Sequence, residues 1–519
     1  MRDVLAGLLP DQGAGAPIAP AAGVQTWTAR QPLLFTLAAF VLLWTAYEII
    51  AHGAGDVHND MAEAYAWGKE LQAGYFKHPP FWAWLTYAWF QVFPVEDWSA
   101  YLFSVLNSAV GIYLVSRCAR FFIEDRRAQT IAATLLILIP AYTFHAMKMN
   151  ANTVHLSVWP GIALAFLTTM ERPRAGASLL LGLLASCALL SKYNALIFLG
   201  CVFAASLAHP NRQRFWLSFQ PLLVILGALP LAAVHGWWLW RNDFLPFTYF
   251  AKLQSQTGGS AGLHGLLFIG AEILYAAPAL LVLALLGWRG GMVTQRPVLT
   301  PMNRVLLILA LGPMLLTALF GVMLHTRSPA LWGLQNLFLI PVLALRFVRT
   351  PDLGKLQRQV AGAVMIFLLG AVIVSPVVAW AKFYYGDRAA VDPRSQLARE
   401  LTAWWRAAYD MPLRIVGGDE NYALAATFYS PDHPSYYRSA DRRLTPWITD
   451  TRLREGGALL ICNEFDETCE QEAARASASL GDEKKISAVK EFLGQYGQNK
   501  NFTFFVIPPR RGKTDDMPK

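Results

Sequence analysis

Long apolar stretches recur along most of the sequence and constrain its fold more than any other feature. A helix that crosses a bilayer needs about 20 mostly apolar residues. Eleven stretches approach that length: 33–50, 98–116, 129–146, 153–170, 177–192, 194–208, 216–235, 265–287, 305–325, 330–345 and 360–381. Only 15% of the residues are charged, against about 25% in soluble domains. The sequence therefore predicts a polytopic α-helical membrane protein with about 11 transmembrane helices, and it excludes an ordinary soluble enzyme.

The Lys and Arg residues between these stretches predict the orientation, because cytoplasmic loops are enriched in both. One set of alternate loops contains 15 of them, at 117–127, 172–174, 212–214, 289–304 and 346–358, and the other set contains seven. We assign the richer set to the cytoplasm. The apolar stretch 81–94 is short and rich in Trp and Tyr, which indicates an interfacial or re-entrant segment. Counting it as a span would place most of the Arg residues outside.

This orientation predicts three domains. Residues 1–32 form a cytoplasmic tail, residues 33–381 form the transmembrane domain with an outer loop at 51–97, and residues 382–519 lie on the periplasmic side. Strand-like runs at 413–418, 458–463, 486–492 and 502–509, with helices near 421–429 and 467–479, predict that the last domain is α/β.

Two features of the C-terminal domain leave alternatives open. Gly417-Gly418 follows a predicted strand, but no GxGxxG pattern accompanies it, so a strand-end turn is favoured over a nucleotide loop. Cys462 and Cys469 are separated by six residues. An oxidising compartment would permit a disulfide, and two free thiols are an equal alternative.

Charged residues concentrate in the outer loop. If 60–72 is helical, Asp60 and Glu63 are neighbours on one face. Asp60 is a candidate catalytic base, and helix capping is its alternative role. Lys77 and His78 precede Pro79-Pro80, whose fixed backbone would present two cations stiffly at headgroup height. Phosphate binding is the functional interpretation, and snorkelling of the lysine is the structural one.

A second group of polar residues lies at the predicted outer ends of the spans. Polar groups kept near bilayer depth are candidates for function, although a lone lysine at a helix end is often only an anchor. The candidates are Lys148, Asn150, Asn152, Lys192, Tyr193 and Arg327. Lys77, Lys192 and Arg327 would all face outward, as a membrane-bound anionic ligand requires.

The outer loop resembles that of the bacterial protein-mannosyltransferase-like membrane glycosyltransferases of the GT-C fold. That family includes the aminoarabinose and galacturonic acid transferases that modify lipid A. Its pattern appears here as Asp60, Tyr65, Trp67 and the run Gly74-Tyr75-Phe76-Lys77-His78-Pro79-Pro80, followed in order by 148–152, Trp159-Pro160 and 190–193. Many relatives have adjacent Asp-Glu, whereas Met61 follows Asp60 here. The resemblance therefore aligns Asp60 as the base and leaves the role of Glu63 open.

The resemblance implies transfer of a sugar, with inversion, from a polyprenyl-phosphate donor to a lipid A, lipopolysaccharide or other envelope glycan acceptor. The reaction would occur at the periplasmic face of the bacterial inner membrane. Tyr75 and the candidates at 148–152, 192–193 and 327 would bind substrate beside Lys77 and His78. The partners would be that donor, a glycolipid or glycan acceptor and membrane lipids, with no nucleic acid. No cofactor or metal is required, and a divalent ion is compatible. The alternative functions are a transporter or flippase of a lipid-linked sugar, which should have charged or broken helices at mid-membrane, and a sensor or assembly protein.

Overall fold

The structure is a computed structural model that describes residues 32–254, 261–296, 298–323, 329–477 and 483–509. These residues form two compact units. The first comprises 32–45, Ser104–Met147 and the described part of Ala151–Ala371. The second comprises Ala46–Phe103, Lys148–Asn150 and the described part of Val372–Lys519. The predicted tail at 1–32 lies almost entirely outside the described residues.

Helices dominate the structure. In chain order they are α1 (Pro32–Ala51), α2 (Asn59–Gly68), α3 (Phe81–Phe90), α4 (Asp97–Ala119), α5 (Arg126–Leu135), α6 (His155–Glu171), α7 (Ala175–Leu189), α8 (Ala195–Ala208), α9 (Arg212–Trp216), α10 (Gln220–Arg241), α11 (Leu245–Gln254), α12 (Ala261–Arg289), α13 (Pro301–Met323), α14 (Ile340–Arg346), α15 (Leu353–Tyr384), α16 (Arg388–Val391), α17 (Arg394–Tyr409), α18 (Glu420–Tyr429), α19 (Asp450–Gly456) and α20 (Glu467–Ser477). Short 3₁₀ helices occur at Leu136–Leu138, Pro140–Tyr142, Ala146–Lys148, Ala330–Trp332 and Leu334–Leu339.

Several of these helices are suited to cross a membrane. Among the described residues, six helices are long and apolar enough to do so: α1, α4, α10, α12, α13 and α15. The stretch Arg126–Lys148 also qualifies, but it is bent by 75° near Pro140, where proline removes a helical hydrogen bond. The chain is therefore a multi-pass membrane protein. Helical segments overlap all eleven predicted stretches, several of them too short to count by length alone, and 81–94 contains the ten-residue helix α3.

The C-terminal domain is α/β, as its strand patterns predict, and it is built on a mixed five-stranded sheet that includes one strand the patterns did not predict, at Ser435–Arg438. Two small antiparallel pairs lie outside it: β1 (Val293–Thr294) with β2 (Val348–Arg349), and β7 (Glu491–Phe492) with β8 (Gln495–Tyr496). The sheet strands are β3 (Ile415–Gly418), β4 (Ser435–Arg438), β5 (Ala458–Asn463), β6 (Lys484–Ala488) and β9 (Lys500–Ile507). Their spatial order is β4-β3-β5-β9-β6, with β4, β3 and β5 parallel and β9 antiparallel to β5 and β6.

The turn after β3 explains the glycine pair in the sequence. Gly418 has a φ of +94°, which side chains with a Cβ rarely adopt. A Cβ at Gly418 would also collide with the backbone of Ile461 on β5. The Asp419 side chain then caps α18 by accepting a hydrogen bond from the Asn421 backbone N–H at 2.8 Å. The pair therefore forms a tight strand-to-helix turn. On the neighbouring strand, Cys462 forms a disulfide with Cys469.

The outer loop is anchored to the C-terminal domain through Asp56. The Lys490 ammonium donates to Asp56 Oδ1 at 2.8 Å, and the Ser395 backbone N–H donates to Oδ2 at 3.0 Å. Arg394 lies 3.8 Å from Oδ2 and donates to the Val57 carbonyl at 3.0 Å. The three charged side chains are buried. Removing the Asp56 charge would leave two buried cations without their shared counter-ion, so this cluster fixes the start of the loop.

Candidate active site

The helix that presents Asp60 is capped by its neighbour. His58 Nδ1 accepts a hydrogen bond from the Asp60 backbone N–H at 3.2 Å. Burial lowers the pKa of His58, Lys148 and Arg394 lower it further, and Asp60 opposes them. A neutral imidazole is what an acceptor at Nδ1 requires. Because His58 caps the N-terminus of α2, the side chain of Asp60 does not have that role.

Asp60 lies in the first turn of α2, where the helix dipole favours a negative charge. Asn150 donates from Nδ2 to Asp60 Oδ2 at 2.7 Å, and His58 Nδ1 is 3.7 Å from the same oxygen. The side chain is 37% exposed. Two predicted site residues that are ninety positions apart are therefore in direct contact, and the carboxylate stays accessible to a reactant.

Glu63 and Lys77 form the centre of a charged network. Glu63 is 3% exposed, and its Oε1 lies 2.6 Å from the Lys77 ammonium. Lys77 also lies 3.5 Å from Glu420 Oε1, and the other oxygen of Glu420 pairs with Arg438. Both cations lie over aromatic rings, with the Arg438 guanidinium 4.3 Å from the Phe76 ring centroid. Two cations and two carboxylates thus alternate through one small region.

The two carboxylates of this network have opposite pKa shifts. Burial raises the pKa of Glu63 to about 7, against the opposing effect of Lys77. Burial alone would also raise the pKa of Glu420, but Lys77 and Arg438 outweigh it and lower that pKa. Glu420 is therefore ionised at neutral pH, whereas Glu63 gains or loses a proton there. When Glu63 is protonated it no longer neutralises Lys77, so the Lys77 ammonium can pair with another anion.

Aromatic packing fixes the backbone around Lys77 and His78. The Tyr75 hydroxyl donates to the Trp67 carbonyl at 2.6 Å, and the two rings stack with centroids 4.6 Å apart. The Tyr75 backbone N–H donates to the His78 carbonyl at 3.0 Å, which closes a turn before Pro79. Tyr75 is fully buried, whereas His78 is partly exposed between Trp67 and Trp82. This geometry gives Tyr75 a supporting position and leaves His78 accessible.

The remaining predicted residues fall in different parts of the structure. Lys148 is partly exposed in the second unit, where its charge acts on His58. In the first unit, the Lys192 ammonium donates to Asn152 Oδ1 at 2.8 Å and lies 4.3 Å from the Trp332 ring centroid. Tyr193 hydrogen bonds to His235 Nε2 at 2.9 Å. Arg327 lies outside the described residues.

Sequence reasoning missed Glu420 and Arg438. They lie at the start of α18 and at the end of β4, more than 340 positions after Lys77. Glu420 directly precedes the helix predicted near 421–429, but no pattern in the sequence joins that helix to the outer loop. Within the described residues, no group of three or more His, Cys, Asp or Glu side chains is arranged to bind a metal ion.

Comparison with protein families gives a match to the outer loop and the helices that follow it. Residues 77–238 match the family model described as dolichyl-phosphate-mannose-protein mannosyltransferase. Over this range the chain is similar to the protein-mannosyltransferase family of membrane glycosyltransferases. The matched range starts at Lys77 and includes His78, 148–152 and 192–193, so the lysines of all three motifs lie inside it. Asp60 and Glu63 lie before it.

Two curated relatives come from Rhizobium johnstonii. The lipopolysaccharide core galacturonosyltransferase RgtA is 27% identical over 267 residues, which cover 50% of this chain and 52% of that protein. The lipopolysaccharide core galacturonosyltransferase RgtB is 24% identical over 350 residues, which cover 64% of this chain and 69% of that protein. The match thus spans about half the length of the first of these relatives.

A solved structure shows the fold. ArnT from Cupriavidus metallidurans, bound to undecaprenyl phosphate, superposes with a TM-score of 0.58 over 92% of this chain and 98% of that protein, at 13% identity. The likeness extends over nearly the whole length of both chains. At this identity it establishes a shared fold, and the resemblance in the sequence had implied the same fold.

Proposed function

We propose that this protein is an integral membrane glycosyltransferase that moves a sugar from a polyprenyl-phosphate donor to a lipid A, lipopolysaccharide or other envelope glycan acceptor. The observation that carries the proposal is the arrangement around α2. An accessible carboxylate, Asp60, and a buried carboxylate paired with Lys77 lie on one helix face, three residues apart. The names of the relatives, two of which are galacturonosyltransferases, support the same reaction class.

In the proposed mechanism, one group of residues binds the donor and another activates the acceptor. Lys77 and His78 bind the donor phosphate, and Lys77 stabilises the negative charge that develops there as the glycosidic bond breaks. Asp60 accepts the proton of the acceptor hydroxyl as it attacks the anomeric carbon. A single displacement of this kind inverts the anomeric centre. Lys148, Asn150, Asn152, Lys192, Tyr193 and Arg327 are proposed to support substrate binding, as is Tyr75, with no resident metal or cofactor.

The proposed setting is the periplasmic face of the bacterial inner membrane, with 11 spans between a cytoplasmic tail and an outer α/β domain. The bias of Lys and Arg between alternate loops supports this orientation, and so does the Cys462–Cys469 disulfide, because disulfides persist in oxidising compartments. Alkaline phosphatase fused after Lys519 should be active in a bacterial host, and a fusion within 346–358 should not. The opposite pattern would place Asp60 in the cytoplasm and exclude the periplasmic reaction.

The catalytic assignment is tested by Asp60→Asn. Mass spectrometry of lipid A and core glycans from a deletion strain identifies the missing sugar, and plasmid-borne variants are then scored for restoring it. Removing a general base lowers the rate by about 10²–10⁴-fold, so Asp60→Asn should fail while the protein is present at the normal level. Asp125→Asn is the matched control, because Asp125 is an exposed aspartate that caps α5. Normal transfer by Asp60→Asn would remove Asp60 from the mechanism, with Glu63 the next candidate.

A transporter or flippase is the second candidate function, and two observations favour it. The helical stretch Arg126–Lys148 is broken by 75°, and the carboxylate of Glu272 on α12 is buried. Broken helices and buried charges are typical of transporters. A flippase moves the donor without cleaving it, so free polyprenyl phosphate should form only if the protein is a transferase. Purified protein that releases no polyprenyl phosphate from its donor in the presence of acceptor would favour transport.

A further inference from the structure

A small β-hairpin of the C-terminal domain exposes a leucine at its tip. Strands β7 and β8 pair with each other, and the two-residue turn Leu493-Gly494 joins them. Leu493 is 75% exposed, and Tyr496 on β8 is 67% exposed. A single exposed apolar side chain is ordinary on a protein surface. The backbone of the turn and the position of the hairpin therefore have to decide what the tip contacts.

The backbone of the turn makes leucine an unfavourable residue there in water. Leu493 has a φ of +48° and Gly494 a φ of +73°, which are the two positive angles of a type I′ turn. Asn-Gly is a preferred pair for this turn, because a bulky side chain is strained at positive φ. Asparagine would also be better hydrated than leucine. An apolar environment around the tip would offset both disadvantages, since it favours the leucine side chain.

The hairpin packs where two membrane-spanning helices end. The Phe492 ring on β7 lies 5.6 Å from the Phe383 ring, centroid to centroid, and Phe383 is in the last turn of α15. Phe492 packs against a small buried cluster that also contains Ala54, three residues after the end of α1. Both helices are long and apolar enough to cross a membrane. The hairpin therefore lies where two spans leave the bilayer.

The sequence of α15 sets the height of the hairpin relative to the bilayer. Residues 360–381 contain no charged side chain. At 1.5 Å per residue they extend over about 33 Å, close to the roughly 30 Å of a hydrocarbon core. Lys382 then marks the edge of the core, and Phe383 follows in the headgroup layer, which is roughly 5–7 Å thick on each side. Leu493 directly follows Phe492, so the tip lies at headgroup height.

The composition at this end of α15 indicates the same height. Trp380, Tyr384 and Tyr385 are all exposed, and the rings of Trp380 and Tyr384 stack with centroids 5.0 Å apart. Trp and Tyr concentrate at membrane–water interfaces, because their rings are apolar and their N–H or hydroxyl group is hydrated. Tyr496 on the hairpin has the same character. Span length and aromatic composition thus agree on where the hairpin lies.

We propose that the β7–β8 hairpin is a membrane anchor, whose tip residues Leu493 and Tyr496 enter the headgroup layer of the bilayer beside the end of α15. The partner is the lipid surface itself. The hairpin begins at Glu491, directly after Lys490, whose ammonium donates to Asp56 at 2.8 Å. The anchor thus holds a buried ion pair of the outer loop at a fixed height. It is independent of the proposed transferase function, because lipid contact requires no turnover.

Spin labelling measures the depth of the tip directly. Leu493→Cys carries a nitroxide in a protein whose three free cysteines, at 118, 187 and 201, are replaced by alanine. The protein is placed in nanodiscs of phosphatidylethanolamine and phosphatidylglycerol. Oxygen accumulates in a bilayer and a nickel–EDDA complex stays in water, so EPR power saturation with each reagent reports depth. The label at 493 should be more accessible to oxygen, and less accessible to nickel, than a label in water.

Ala408→Cys supplies the label in water. Ala408 is exposed in the last turn of α17, about 21 Å along that helix from Arg394. Equal accessibilities at the two labels would place the hairpin tip in water and overturn the proposal. Low accessibility of the 493 label to both reagents would show that protein covers the tip, which would overturn the proposal as well.

A substitution with opposite expected effects in water and in lipid tests the unlabelled tip. Leu493→Asn suits a type I′ turn better than leucine, so it would stabilise a hydrated hairpin. In the bilayer, the same change removes an apolar side chain from the headgroup layer and weakens the anchor. Hydrogen–deuterium exchange of the amides at 491–497, measured in the same nanodiscs, should therefore become several-fold faster. Slower or unchanged exchange would refute the anchor.

Leu71→Asn is the matched control for this exchange experiment. Leu71 is a second exposed leucine with a positive φ, of +45°, and it lies in the outer loop. It should leave the exchange at 491–497 unchanged, because it removes an exposed leucine without touching the hairpin. Faster exchange of the hairpin in Leu71→Asn as well would show that the effect is not local to the tip, and would count against the anchor.

Discussion

Affinity for a phosphodiester should fall as the pH rises through neutrality, because Glu63 and the donor phosphate compete for Lys77. Glu63 Oε1 is 2.6 Å from the Lys77 ammonium. A phosphate oxygen at about 2.8 Å on the other side of Lys77 would lie roughly 5–6 Å from that carboxylate. At an effective dielectric constant of about 20, the repulsion is about 3 kcal/mol, or roughly two pKa units.

The direction of this pH dependence follows from the linkage between proton binding and ligand binding. Burial already raises the pKa of Glu63 to about 7, and a bound anion would raise it to roughly 9 by the repulsion above. Binding therefore takes up a proton between these two values, and the dissociation constant should increase about tenfold from pH 6 to pH 8. Protonated Glu63 is the state that binds.

Farnesyl methyl phosphate is a suitable ligand, because a phosphodiester keeps one negative charge over this range. Its dissociation constant is measured by isothermal titration calorimetry on the detergent-solubilised protein. Glu63→Gln should bind tightly at every pH, since glutamine is neutral and nearly isosteric. Glu420→Gln should move the transition to lower pH, because Glu420 raises the pKa of Glu63. A flat profile in the unmodified protein, or an unchanged slope in Glu63→Gln, would refute the competition.

Three further outcomes are expected. Asp56→Asn should destabilise the fold by about 3–5 kcal/mol, because Lys490 would remain buried beside a neutral side chain. Thermal unfolding in detergent should show a lower midpoint. An unchanged midpoint would contradict the anchoring role of Asp56. Tyr75→Phe should cost about 1–3 kcal/mol in the same assay, since it removes the hydrogen bond to the Trp67 carbonyl; no loss would show that this bond contributes nothing. The unfolded, unreduced chain should titrate with three thiols, and with five after reduction; five before reduction would exclude the disulfide of Cys462.

The sequence predicted those helices and strands whose formation depends mainly on the local pattern of residues. A bilayer sets a length for apolar runs, so all eleven runs contain helix. The run at 458–463 gave β5 with the bounds that the structure has. The strand β4 escaped notice because Ser-Tyr-Tyr-Arg is short and carries polar groups at both ends. Its place in the sheet comes from pairing with β3, which no local pattern encodes.

The candidate site was predictable to the extent that it is local. Asp60, Glu63 and Lys77 could be placed in one loop, and the polar residues at the predicted outer ends of the spans included Asn150, which does contact Asp60. The sequence could not show which residue caps α2, because histidine is not a typical capping residue and His58 takes that role only in the folded chain. Glu420 and Arg438 depend on the folding of a distant domain onto the loop, so their charges carried no signal in the sequence.

The Asp56 cluster has a consequence for the biogenesis of the protein. Asp56 emerges early in synthesis, but its partner Lys490 follows 434 residues later. Until Lys490 is translated, Asp56 lacks one of the two cations that lie beside it in the folded protein, so the loop is not held in its final conformation. A nascent or prematurely terminated chain could insert all its helices and still lack an assembled site. Activity would therefore begin only after Lys490 has been translated and has paired with Asp56.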